Sequence, residues 1–175
     1  DSIVALPWGN EVLNPVRNTN QTYLKFVNTL VFSEDGRRFL RYGYYTDAPK
    51  GTLDYDKYWE EQERRCLNGY TVGGVRITGR QYFFLNFCPM KARPIDPVTG
   101  LESIKAQKKW TLPRFLDHSY YFFHELEECL AEGPHVGKEK QGMVILKSRR
   151  KGFSYQISDG VFAYNFQFVP HSMNM

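Results

Sequence analysis

A basic, glycine-containing stretch has the residue types that bind phosphate. It reads Lys147-Ser148-Arg149-Arg150-Lys151-Gly152-Phe153-Ser154, and it follows a short apolar run at 143–146 and precedes a helical pattern. When a strand is followed by a tight basic loop and then by the N-terminus of a helix, backbone N–H groups and the positive end of the helix dipole point at a bound anion. A hydroxyl in the first helical turn can bind Mg²⁺. These residues therefore predict a nucleotide-phosphate site at 147–154.

Two positions depart from the usual phosphate-loop pattern, G-x-x-x-x-G-K-[ST]. Lys147 stands where the first glycine belongs, and Phe153 stands where the lysine belongs. The physical requirements are less affected, because Gly152 still permits close approach of the backbone and Ser154 still offers a hydroxyl. Without other information, a basic turn after a strand is more often a solvated surface loop.

The stretch 147–154 resembles the variant phosphate loop of tailed-phage terminase large subunits, the ATPases that pump DNA into viral capsids. In one branch of that family the loop lysine lies at the N-terminal end, and an aromatic residue separates the glycine from the Ser/Thr. Lys147 and Phe153 reproduce both departures. Trp59 and the stretch 73–90 are similar to the aromatic hairpin region that precedes the ATPase core in many such subunits.

This resemblance implies an α/β fold in two parts. Residues 1–105 are expected to form an N-terminal α+β region, with a boundary near the turn-rich stretch 94–100. Residues 106–175 are expected to form the opening strand–loop–helix unit of a RecA-like ATPase sheet. The sequence begins at Asp1 without a methionine, and we expect it to be a piece of a longer protein.

The resemblance also implies ATP and Mg²⁺ as cofactors. Lys147 and Arg150, helped by Arg149, would neutralise the charge of the β- and γ-phosphates, and Ser154 would ligate the metal. The residues expected to contact ATP are Lys147, Ser148, Arg149, Arg150, Lys151, Gly152, Phe153 and Ser154. An acidic metal-binding pair and an endonuclease domain are expected outside the printed sequence, so the printed chain alone is expected not to hydrolyse ATP at a useful rate.

The implied partners are double-stranded viral DNA, a portal protein and a small terminase subunit, acting in the host cell cytoplasm as a homo-oligomeric ring. Adenine recognition is open, because 112–117 lacks the glutamine often found there; Phe115 and Gln107 are candidates. Two rival classes also stay open. A cellular P-loop helicase or translocase would share the loop chemistry, whereas a non-catalytic DNA- or capsid-binding module would need no nucleotide.

Composition limits the possible classes. The chain of 175 residues is 42% hydrophobic and 16% aromatic, which is ample for a folded core. It contains no apolar run of about 18 residues that would span a membrane. The net charge is only +4, but lysines cluster at 105–109 and within 138–151, and such clusters suit phosphate. The three cysteines are widely spaced, which predicts reduced thiols.

Local patterns predict several elements. Thr52 and Asn68-Gly69 bound a helix whose Glu60, Glu61 and Glu63 face Arg64 and Arg65. Aromatic and β-branched runs at 70–78 and 81–87, joined at Gly79-Arg80, predict a β-hairpin, with Gly73-Gly74 as a bulge.

Further along, Thr111-Leu112-Pro113 is expected to open a helix that continues to about Ala131. Another helix is expected from Ser154 to before Pro170, with Gly160 as a weak point. His118 and His124 are expected to be core or surface residues rather than metal ligands.

The region before 51 is predicted to hold a turn at 34–37. Next to it, basic and aromatic residues form a patch that either contacts DNA or belongs to a half-buried strand. The patch consists of Arg37, Arg38, Arg41, Tyr42, Tyr44 and Tyr45.

Overall fold

The computed structural model describes residues 4–5, 12–13, 29–94, 103, 105–131, 143–146 and 152–170, and over these the chain is a mixed α+β structure. Its strands form two-stranded antiparallel sheets, β1–β2, β3–β4 and β5–β6. The strands are β1 Val4–Ala5, β2 Val12–Leu13, β3 Tyr70–Val72, β4 Val75–Ile77, β5 Met90–Ala92 and β6 Lys109–Thr111. The helices are a 3₁₀ helix Thr29–Ser33, then α1 Glu34–Tyr42, α2 Leu53–Asn68, α3 Gly79–Phe87, α4 Asp117–Ala131, α5 Phe153–Ile157 and α6 Tyr164–Phe168, with a π-helical segment Ser158–Ala163 between the last two.

Helix α3 is the central element of the described structure. It packs against α1, α2, α4 and the helical segment 153–168. A helix whose residues are buried on every side lies inside a protein rather than on its surface. At its first residue, a Cβ on Gly79 would lie 1.8 Å from the carbonyl oxygen of Cys66, so only glycine permits this approach to the end of α2. The buried residues of α3 are Gly79, Gln81, Tyr82, Phe84, Leu85 and Asn86.

The hairpin predicted over 70–87 was placed wrongly. Strands β3 and β4 pair across a two-residue turn at Gly73-Gly74, where both φ angles are positive (59° and 82°), as a primed hairpin turn requires. The Gly73-Gly74 pair is therefore the turn and not a bulge, and 81–87 is helical. The Thr78 hydroxyl accepts a hydrogen bond from the N–H of Gln81 at 3.2 Å and caps α3. Apolar residues around the whole helix conceal its 3.6-residue period.

The buried apolar residues form two clusters, one on each side of α3. The first contains Phe32, Cys66, Val75, Ile77, Tyr82, Leu85, Tyr120 and Tyr164. The second contains Phe84, Cys88, Phe122 and Phe123. Residues on both sides of position 105 contribute to each cluster. The division of the chain at 105/106 stays a prediction.

The helix predicted from Thr52 to Asn68 is confirmed. The Thr52 hydroxyl accepts from the N–H of Tyr55, and Gly69 (φ 85°) ends the helix. The expected charged face is also present, because Glu61 accepts hydrogen bonds from both Arg64 and Arg65 at 2.7 Å. The Arg64 hydrogen bond is the main reason that the pKa of Glu61 falls to about 2.

Two predicted element starts were wrong. Residues 34–37 form the first turn of α1 rather than a separate turn, so the basic–aromatic patch begins on a helix and not on a strand. Thr111 belongs to β6, where it pairs with Met90, and α4 begins only at Asp117. Pairing with β5 holds 109–111 extended, so Thr111 does not cap this helix.

The helix predicted after Ser154 is confirmed through Phe168, with the π-helical segment in its middle. Gly160 allows close packing, since a Cβ there would lie 2.5 Å from Cζ of Phe123. It therefore packs closely on Phe123 of α4. The strand predicted at 143–146 was wrong: these residues have no strand pairing, and the side chains of Val144 and Leu146 are almost fully exposed. Among the described helices, none is both long and apolar enough to cross a membrane.

Candidate phosphate site and neighbouring polar clusters

The described part of the predicted phosphate loop is the start of the terminal helix. Gly152 is exposed, has a left-handed conformation (φ 68°) and directly precedes α5. Its carbonyl accepts the hydrogen bond of the Tyr155 N–H at 3.1 Å. Gly152, at the N-cap position, has no side chain that could cap this end of the helix. Because the first N–H groups of a helix have no partner within it, this terminus can bind an acceptor from outside.

The two residues after Gly152 point in different directions. Phe153 is half-buried and packs on the second core cluster, with its ring edge-on to Phe122 at a centroid distance of 4.7 Å. Ser154 is exposed in the first turn. Further along, the buried Gln156 donates from Nε2 to the Ser119 hydroxyl at 2.8 Å. The start of the helix is thus fixed to α4, with Ser154 on its solvent side.

The remaining predicted loop residues, Lys147, Ser148, Arg149, Arg150 and Lys151, lie outside the described residues. The structure therefore places only Gly152, Phe153 and Ser154 of the predicted site. Of the adenine candidates, Phe115 packs against Phe32 and Tyr120 in the core, at centroid distances of 5.4 Å and 5.9 Å. Gln107 is exposed.

The basic–aromatic patch near α1 is largely occupied by its own contacts. Arg37 donates to the carbonyl of Leu30 at 2.8 Å, and Arg38 forms an ion pair with Asp47. The hydrogen bond from Arg38 is the main reason that the pKa of Asp47 is lowered. The guanidinium of Arg41 lies over the ring of Tyr42, 5.1 Å from its centroid. The patch is therefore less available to phosphate than its sequence suggests.

A partly buried polar network links α1, α2 and α3, and no sequence motif indicated it. The hydroxyl of Tyr58 donates to Asp35 Oδ1 at 2.7 Å. The Tyr82 hydroxyl lies 2.7 Å from Asp35 Oδ2 and 2.5 Å from Gln62 Oε1, and Arg65 Nη1 lies 3.5 Å from the same Asp35 oxygen. Burial raises the pKa of both tyrosines. Because these partners are separated along the chain by 20 residues or more, only the folded structure brings them together.

The core interpretation of His124 is confirmed. Its Nε2 lies 2.9 Å from the carbonyl oxygen of Arg76, and burial lowers its pKa to about 4. The three cysteines are free, as predicted, and burial raises the pKa of Cys66 to about 12. Over the part of the chain that is described, no group of three or more His, Cys, Asp or Glu residues is placed to hold a metal ion.

Comparisons of the chain with protein-family models, with curated proteins and with solved structures gave no match.

Proposed function

We propose that the chain is part of a terminase large subunit, the ATP-driven motor that moves viral double-stranded DNA into a capsid. Residues 147–154 would be its variant phosphate loop, at the start of a RecA-like ATPase unit. The observation that carries this proposal is the helix N-terminus after Gly152, with its exposed left-handed glycine and with Ser154 exposed in the first turn. Together with the basic sequence 147–151, it has the parts that a nucleotide-phosphate site needs.

The position of Phe153 supports the assignment of Lys147 as the lysine that contacts phosphate. In the usual pattern the residue after the second glycine is the lysine that contacts phosphate. Here that position is filled by a ring that packs on Phe122. The charge must then come from elsewhere in the loop, and the lysine side chain of Lys147 is long enough to reach the β- and γ-phosphates from the N-terminal end of the loop. Arg150, helped by Arg149, would add to that charge, and Ser154 would ligate Mg²⁺.

The test is ATP turnover and nucleotide binding by the full-length protein. Lys147→Ala is expected to reduce turnover by orders of magnitude, because it removes the charge that stabilises the transferring phosphoryl group. Ser154→Ala is expected to weaken Mg²⁺-dependent binding of nucleotide. Phe153→Ala is expected to be milder, because the ring contacts the core and not the phosphate.

Lys57→Ala is the matched control, since Lys57 is an exposed lysine on α2. It should leave turnover unchanged. Full activity in the Lys147 variant, or equal losses for Lys147→Ala and Phe153→Ala, would contradict the assignment of the loop. Absence of nucleotide binding by the unmodified protein would favour the non-catalytic binding module.

A further inference from the structure

The short ribbon β5–β6 presents a tryptophan and a lysine side by side on its outer face. Its register pairs Met90 with Thr111, Lys91 with Trp110 and Ala92 with Lys109. Met90 is half-buried against the second core cluster, which fixes the inner face of the ribbon. Because side chains alternate between the two faces of a strand, Lys91 and Trp110 lie on the opposite, outer face.

Trp110 is unusually exposed for its size. Its relative exposure is 62%, and Lys91 Nζ lies 5.2 Å from the centroid of its ring. Tryptophan in folded proteins is highly buried on average. This ring therefore contributes little to the core, and it offers a large flat surface beside a cation.

The described residues of the ribbon and its flanks carry positive charge only, while Asp96 and Glu102 belong to the stretch 95–102, outside the described residues. The described residues between 88 and 116 include no Asp or Glu. This differs from α1, where Asp47 neutralises Arg38. The cations are Lys91, Arg93, Lys105, Lys108, Lys109 and Arg114, of which all but Arg93 are exposed.

We propose that the β5–β6 ribbon binds single-stranded nucleic acid, with its lysines on the phosphates and Trp110 stacked on a base. A basic surface that tracks the backbone, combined with an aromatic ring on which a base can stack, is how proteins bind unpaired strands with little sequence preference. A single strand fits better than a duplex, because the bases of a duplex are already stacked on one another. This binding uses no residue of 147–154, so it stands independently of the proposed ATPase function.

The test is fluorescence anisotropy of a labelled oligothymidine of about 16 nucleotides, titrated with the protein at several salt concentrations. Trp110→Ala is expected to weaken binding by about 5-fold or more, since stacking on one base is worth about 1–3 kcal/mol. Trp110→Phe should recover part of the affinity, because it retains a stacking ring. Lys91→Gln should lower the log–log salt slope by about 0.7, the value for one phosphate contact on a single strand.

Lys57→Gln removes the same charge from α2 and should change neither affinity nor slope. Far-UV circular dichroism of each variant checks that the fold is retained. A duplex of the same length should bind more weakly and should be insensitive to Trp110→Ala.

Three results would overturn the proposal. The first is no binding of the oligothymidine at low salt, and the second is unchanged affinity in a folded Trp110→Ala variant. The third is binding to vesicles of the anionic lipid phosphatidylserine without binding to the oligothymidine, which would assign the surface to a membrane instead. The activity of Lys147→Ala is a separate readout, so failure of this proposal and failure of the proposed ATPase function can be distinguished.

Discussion

The two ends of helix α3 bury the same chemical group in different surroundings. Asn86, in the last turn, and Gln81, in the first turn, are both side-chain amides with 0% exposure. Asn86 Nδ2 donates to the carbonyl of Phe32 at 2.8 Å and to that of Tyr82 at 3.0 Å, and its Oδ1 accepts from the N–H of Gly36 at 3.0 Å. For Gln81, neither amide atom has a hydrogen-bond partner within the described structure.

The difference follows from what each end of α3 faces. Phe32 and Gly36 lie where the 3₁₀ helix passes into α1, and such helix ends leave backbone groups without a helical partner. Asn86 supplies partners for two of these groups. Gln81 occupies the glutamine position of a capping box, but only the Thr78 half of that box is formed. Equal burial therefore does not imply equal contribution to stability; the partners decide it.

The largest effect is expected for Asn86→Ala. The change leaves the Gly36 N–H and the Phe32 carbonyl buried without their partner, and each such loss costs about 1–3 kcal/mol. We expect the free energy of unfolding to fall by about 3 kcal/mol, as measured by urea denaturation.

Asn68→Ala is the control for this change, because Asn68 is exposed at the end of α2. Its effect should stay within about 0.5 kcal/mol. If Asn86→Ala were as mild as Asn68→Ala, the contrast between the two ends of α3 would disappear.

On α4, His124 is a third buried polar side chain, and unlike the amides of Asn86 and Gln81 it can ionise. The pKa of His124 is about 4 in the folded protein, whereas an unfolded histidine titrates near its ordinary value of about 6.5. The unfolded state therefore binds more protons between these values. Stability is complete above about pH 6.5 and is lost as the pH falls toward 4. At about pH 5 the loss should be about 2 kcal/mol.

His124→Gln isolates this contribution from other titrating groups. Glutamine can still donate to the carbonyl of Arg76 but does not titrate, so the variant should lose less stability between about pH 7 and pH 5 than the unmodified protein. Urea denaturation at both pH values measures the difference. Arg76 and Glu127 are the charged groups that act on His124, with opposite signs, and both are kept. Identical pH dependence in the two proteins would show that His124 is not the group responsible.

The sequence predicted the elements whose signals are local. Helix α2 has its capping threonine and terminal glycine within its own segment, and the terminal helix has its regular apolar spacing and Pro170. Helix α3 was missed because a run of Tyr, Phe and Leu favours a strand when no polar face reveals a helical period. Thr78 and Gln81 did carry a capping signal there.

Long-range pairing could not be predicted in the same way. Strands β5 and β6 are short and are not adjacent in sequence. Their pairing brings Ala92 beside Lys109. Nothing local to Trp110 indicates that it will lie beside Lys91. At the phosphate site, the sequence predicted a helix start at Ser154, one residue after the observed start at Phe153. The strand predicted at 143–146 failed because a strand needs a neighbour to pair with, and in the described structure these residues have none.

The smallest effect, and the one of opposite sign, is expected for Gln81→Met. Methionine has nearly the volume of glutamine but no amide, so the change removes a buried donor and acceptor without partners and keeps the packing. We expect the free energy of unfolding to rise by about 1 kcal/mol. Gln62→Met is the matched control, because Gln62 is also buried but its Oε1 lies 2.5 Å from the Tyr82 hydroxyl. It should lower stability by about 1–2 kcal/mol. Urea denaturation of the two variants gives the sign of each change in the free energy of unfolding. A loss of stability in both variants would mean that the Gln81 amide has a hydrogen-bond partner after all.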